Sequence, residues 1–171
     1  MTPYLALLRG INVGGHAILP MEELKTLCTN LGLKHVRTYI QSGNVLFESR
    51  HSADEIIVML EEVLSSKLQK PIPVILRTAA EMKVVLAVNP FPDANPSQVG
   101  VLFFANSSHC DILEHYENSG PEEIVVSGKE WYIHFPNGMG RSKLKLPKST
   151  EQGTVRNINT VKKLVELMAK G

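Results

Sequence analysis

Apolar and polar positions alternate along the chain in blocks of recognisable period. Tyr4 to Leu8 is a continuous apolar run closed by Arg9 and Gly10, which reads as a buried strand rather than one side of a helix. After a glycine-rich loop, Pro20 suits the first turn of a helix, and Met21, Leu24, Leu27, Cys28 and Leu31 repeat at helical spacing until Gly32 stops them. Val36–Ile40 and Val45–Phe47 are rich in strand formers, and the group between them, Gln41, Ser42, Gly43 and Asn44, has the composition of a hairpin turn. A longer helix follows over Ala53–Leu68, with Ile56, Ile57, Leu60, Val63, Leu64 and Leu68 as its apolar stripe, and Pro73–Leu76 closes the unit as a strand. The order is βαββαβ, the ferredoxin-like arrangement of a sheet covered on one face by two helices.

The second half begins with a short helix near Ala79–Val88. Asn89–Gln98 contains three prolines and reads as an extended connection. A boundary there divides the chain into an N-terminal subdomain with its connecting helix, 1–88, and a C-terminal α+β subdomain, 89–171. Val99–Ala105 is a strand, Asp111–Glu117 a helix, and Glu123–Val126 with Trp131–Phe135 a hairpin turning at Ser127, Gly128 and Lys129. Past Pro136 the pattern fades until Val161, Leu164, Val165 and Met168 mark an amphipathic C-terminal helix. The expectation is therefore an α+β fold of two ferredoxin-like (βαββαβ-type) subdomains packed together as a degenerate duplication.

Composition adds constraints. With 43% hydrophobic and 20% charged residues the chain is that of an ordinary globular protein. No apolar run approaches the roughly 20 residues that cross a bilayer, and Met1–Leu8 has neither a positive region nor a small-residue cleavage site. Cys28 and Cys110 lie far apart with no ligand spacing, which suits a reducing compartment and makes Cys28 a core thiol. The expected location is the cytoplasm. The net charge of +1 hides an asymmetry: residues 137–171 carry eight basic residues against two acidic ones, leaving ten against fifteen elsewhere. Such a split suits an anion-facing end on an acidic body, and exposed lysines on a terminal helix give the same arithmetic.

Four polar segments exceed what core building needs. Arg9 to Gly15 (RGINVGG) leaves a strand and leads toward a helix, so Gly14 and Gly15 allow backbone amides to approach an anion while Arg9 adds charge. Its spacing matches neither GxGxxG nor a Walker loop. The plainer reading is a sharp loop that Asn12 caps internally. Gln41, Ser42 and Asn44 offer amide and hydroxyl groups to that loop or to a ligand, or form only a turn. Arg141, Ser142 and Lys143 place a guanidinium, a hydroxyl and an ammonium in a row, suited to phosphate or carboxylate. Arg156 and Asn157 precede the last helix. An asparagine there caps it, and a cation near a helix N-terminus wants an anionic partner.

Other chemistry is disfavoured. The six histidines show no metal-ligand spacing, His134 alternates with Trp131, Ile133 and Phe135 as an outward residue, and Asp111 with His115 reads as a surface pair. No metal or cofactor is expected. Neither is RNA stacked on a sheet face, since the strand SGNVLFE carries only Phe47.

The segments RGINVGG (9–15), YIQSGNV (39–45), GRSKL (140–144) and TVRNINT (154–160) together resemble the signature segments of the domain of unknown function 1697 family of uncharacterised bacterial proteins. The resemblance runs from near the first residue to the last helix. It implies an α+β fold with two ferredoxin-like subdomains and implies no mechanism. The leading functional expectation is a cytosolic binding protein for a small anionic or phosphorylated ligand, held by Arg9, Asn12, Gly14, Gly15, Gln41, Ser42, Asn44, Arg141, Ser142, Lys143, Arg156 and Asn157. The alternatives are a transferase or hydrolase acting on a phosphorylated substrate through Ser142 or Lys143, a nucleic-acid module using the basic C-terminal segment, and an internal polar network with no ligand. No membrane partner is expected, and the oligomeric state is left open.

Overall fold

A computed structural model describes residues 1–40, 43–107 and 120–170. Among them are two four-stranded antiparallel sheets and four α-helices, an α+β architecture that resolves into two compact units, Met1–Glu81 with Leu164–Gly171, and Met82–Lys163.

The first unit contains β1 (Thr2–Leu8), α1 (Met21–Asn30), β2 (Lys34–Tyr39), β3 (Asn44–Ser49), α2 (Ala53–Leu68) and β4 (Val74–Thr78), with the sheet in the order β2-β3-β1-β4. Pro20 stands one position earlier than expected, at the cap of α1. Alternation sorts the strands into two faces. Tyr4, Ala6, Leu8, Val45, Phe47, Val74 and Leu76 form one core with Leu24 and Cys28 of α1 and Ile56, Leu60 and Leu64 of α2, and Tyr4 lies against Phe47 with ring centroids 5.9 Å apart. Burial pushes the Cys28 thiol up to about 12. The other face is also covered: Leu5, Leu7, Leu46, Ile75 and Arg77 are all buried. Helix α2 starts at a reciprocal capping box, in which the Glu55 amide donates to Ser52 Oγ and the Ser52 amide donates to Glu55 Oε2.

The second unit contains β5 (Val99–Phe103), β6 (Glu123–Ser127), β7 (Glu130–His134) and β8 (Thr154–Asn157), ordered β6-β7-β5-β8, so that strand for strand it has the topology of the first sheet. Met82 and Val85 of α3 (Ala79–Ala87) are buried, and the Tyr132 hydroxyl donates to the Val85 carbonyl at 2.6 Å. On the opposite face Phe104 meets Trp131 edge-on, with Leu102 alongside. The chain ends in α4 (Ile158–Ala169). Its first turns fall in the second unit and its last turns in the first, where the Arg37 guanidinium donates to the Leu167 carbonyl at 2.9 Å.

Three expectations need correction. Thr154–Asn157, where the sequence pattern shows no element before the last helix, is a strand, because its pattern is inverted: Arg156 points inward and Val155 is 42% exposed. The connection 89–98 is not extended throughout, since Asn95 caps a 3-10 turn over Pro96–Gln98. His134 is half-buried, its ring 5.5 Å from that of Phe91. The helix expected at Asp111–Glu117, with Cys110 and His115, lies outside the described residues.

Candidate functional site

At one end of the first sheet the glycine-rich loop and the turn between β2 and β3 come together. The Leu8 amide donates to the Gly43 carbonyl (2.9 Å), and the Arg9 amide to the Pro73 carbonyl (3.1 Å). Gly43 has φ +82°, and a Cβ built there would stand 3.0 Å from both Leu8 Cβ and Ile11 Cδ1. Only glycine allows that approach without displacing Ile11. Asn12, at φ 54°, braces the loop from inside: its Oδ1 accepts from the Leu19 amide (2.7 Å), its Nδ2 donates to the Leu19 carbonyl (3.0 Å), and its own amide donates to Ala17 (3.1 Å). Beyond this brace, Gly14 and Gly15, both at positive φ, sit exposed on the loop tip with His16. Arg9 is half-buried at the foot of the loop, and its guanidinium makes no hydrogen bond or ion pair among the described residues. Asn44, fully buried, donates from Nδ2 to the Tyr39 carbonyl at 2.9 Å and closes the turn. Gln41 and Ser42 lie outside the described residues.

In the second unit Met139–Arg141 forms a short 3-10 turn behind Gly138, whose φ is +89°. Ser142 is tied down: its Oγ donates to Glu122 Oε1 at 2.6 Å and accepts from the Leu144 amide at 3.1 Å. Arg141 and Lys143 are exposed, and neither makes a hydrogen bond or ion pair among the described residues. Arg156 is the reverse, buried on β8 beside Val101, its Nη1 donating to Thr154 Oγ1 and the Val155 carbonyl, both at 2.9 Å. Desolvation pulls its guanidinium down to about 10, so it still carries its charge at neutral pH. Asn157 Oδ1 accepts from the Thr160 amide at 2.8 Å and caps α4. The cation before that helix thus donates to two groups of its own strand.

Of the expected residues, Arg9, Asn12, Gly14, Gly15 and Asn44 are brought to one end of the first sheet, and Arg141, Ser142, Lys143, Arg156 and Asn157 belong to the second unit. Charged residues not singled out from the sequence include Arg37, the buried Arg77 and the buried Glu130. Arg77 carried a signal: it closes the apolar run Val74–Leu76 and shares a face with Ile75. Burial, with the neighbouring Glu130 charge, holds the Tyr132 phenol well above its ordinary range. Among the described residues no three of His, Cys, Asp and Glu converge as a metal ligand set.

Fold and site thus describe an α+β protein with one loop-borne cationic corner. The chain belongs to the family described as Protein of unknown function (DUF1697), whose model matches residues 1–132. It is similar to a solved structure, the conserved bacterial protein SP0830 from Streptococcus pneumoniae, with 25% identity, a TM-score of 0.79 and 98% of each chain covered. No curated protein matches the chain.

Proposed function

We propose that this is a cytosolic binding protein for a small anionic or phosphorylated ligand, seated at the Arg9–His16 loop of a ferredoxin-like unit that is duplicated in the second half. One observation carries the reading: Arg9 stands half-buried at the foot of a braced loop with no ion pair or hydrogen bond from its guanidinium among the described residues. An arginine anchored at a loop with no protein partner for its guanidinium is a ready donor fork for an anion. The loop offers what such a partner needs besides charge, since Asn12 fixes the backbone and Gly14 and Gly15 leave the tip open to close approach. The duplication is supported by the shared strand order of the two sheets. A cytosolic location is supported by the buried free Cys28 and by the absence, among the described residues, of any helix long and apolar enough to cross a membrane.

The test is a thermal-shift series with inorganic phosphate, pyrophosphate, nucleotides and sugar phosphates. A ligand present at about 100 times its Kd stabilises the folded state by about 2.7 kcal/mol. The expected result is a shift with at least one phosphorylated compound that Arg9→Gln abolishes and Arg141→Ala with Lys143→Ala leaves in place. No shift with any anion, or a shift that Arg9→Gln retains, overturns the reading.

A further inference from the structure

The two sheets have four outer edges, and three of them are guarded. Strand β2 is irregular between Lys34 and Arg37 and exposes Lys34 and His35. Strand β4 follows Pro73, and its Val74 amide donates to Glu61 Oε1 at 3.1 Å. Strand β8 is four residues long and runs straight into α4. Bulges, charges, prolines and short length are the devices that keep an edge from pairing with another chain.

Strand β6 has no bulge, proline or charge along Ile124–Ser127. Its sequence is EIVVS, without proline or bulge, and its residues are exposed or half-buried throughout, with Val125 40% exposed. Which backbone groups face out follows from the turn. Ser127 pairs with Glu130 across a two-residue connection whose first residue, Gly128, has φ +61°. Such a turn bonds the Ser127 carbonyl to the Glu130 amide. Antiparallel pairs alternate, so Glu123, Val125 and Ser127 bond inward to β7, and the amides and carbonyls of Ile124 and Val126 point to the free edge. Neither Ile124 nor Val126 has a further hydrogen bond among the described residues.

We propose that β6 is a homodimerisation edge, pairing antiparallel with β6 of a second copy of this chain about a twofold axis at Val125. The strand is self-complementary in that register. Ile124 falls opposite Val126 of the second copy, so outward amides meet outward carbonyls and four hydrogen bonds form. Val125 meets Val125, an apolar pair already partly exposed. Glu123 falls opposite Ser127 and not opposite another Glu123, and the hairpin end bearing Lys129 faces the Glu122–Glu123 start of the second copy, which avoids the like-charge pairing that opposes strand association. The join makes one continuous eight-stranded sheet from the two second units.

Sedimentation velocity over concentrations up to about 1 mM is the measurement, since weaker association has no specific interface behind it. The full chain is expected to shift from monomer to dimer as concentration rises. Val126→Pro removes an outward amide, together with a side chain packed beside Leu102, Phe104 and Trp131, and leaves the β7 ladder intact. It is expected to sediment as a monomer throughout with its circular-dichroism spectrum unchanged. Val125→Lys sets two ammonium groups opposite each other and is expected to do the same, which covers the case of a misfolded proline variant. Register is read by oxidation in a Cys110→Ser background: Val125→Cys is expected to crosslink two chains and Glu123→Cys to remain uncrosslinked. A flat monomer profile for the unaltered chain, a dimer that survives Val125→Lys, or crosslinking through Glu123→Cys in preference to Val125→Cys each overturns the proposal.

Discussion

At Gly43 the first unit leaves room for a hydrogen atom and little more. Gly43 carries no side chain, and the space a methyl would need is taken by Leu8 and Ile11. At φ +82° any L-residue also meets backbone strain. Gly43→Ala is therefore expected to destabilise the protein by about 2–6 kcal/mol, the sum of strain and overpacking, measured by urea unfolding. The same substitution displaces Ile11, so anion-dependent stabilisation should weaken even in the folded fraction. At this scale much was readable in advance. The Gly43 turn, the internal cap at Asn12, the cap at Asn157 and the core thiol at Cys28 each follow from local chemistry. That Arg156 is buried was opaque, because the burial of an arginine is decided by what surrounds it in space, and Arg77 was marked only by its place at the close of an apolar run.

Among the elements, α2 tests how well local rules explain stability. Its capping box satisfies an amide at each end of the pair, and those bonds to Ser52 hold the exposed Glu55 carboxyl below its ordinary value. Ser52→Ala is expected to cost about 1 kcal/mol of stability near neutral pH. A depressed acid stabilises the fold above its unfolded value and loses that contribution as protons are added. The gap between the original chain and Ser52→Ala should thus narrow as pH falls below 4.5, the ordinary carboxyl value, and NMR titration of Glu55 should move up in the variant. Periodicity exposed α2, β1 and the β6–β7 hairpin because each has a conventional inside and outside. It missed β8 for the opposite reason: a strand whose apolar residue faces water and whose charge faces the core mimics a polar loop.

For the whole molecule, both ends of the chain contribute to one unit. Met1–Glu81 and Leu164–Gly171 group together, and Arg37 fastens β2 to the last turn of α4 through the Leu167 carbonyl. Arg37→Ala is expected to raise amide hydrogen exchange over residues 164–170 at least tenfold, while the amides of β5 and β7 keep their protection. Equal acceleration in both regions would mean that the contact is incidental. No sequence pattern pointed to this closure, since an arginine and a carbonyl separated by 130 positions share no local signal. It also sets a timetable for biosynthesis. The four strands of the first unit leave the ribosome well before residues 164–170, so the newborn chain carries a complete sheet without its helical fastening until the whole second unit has been translated.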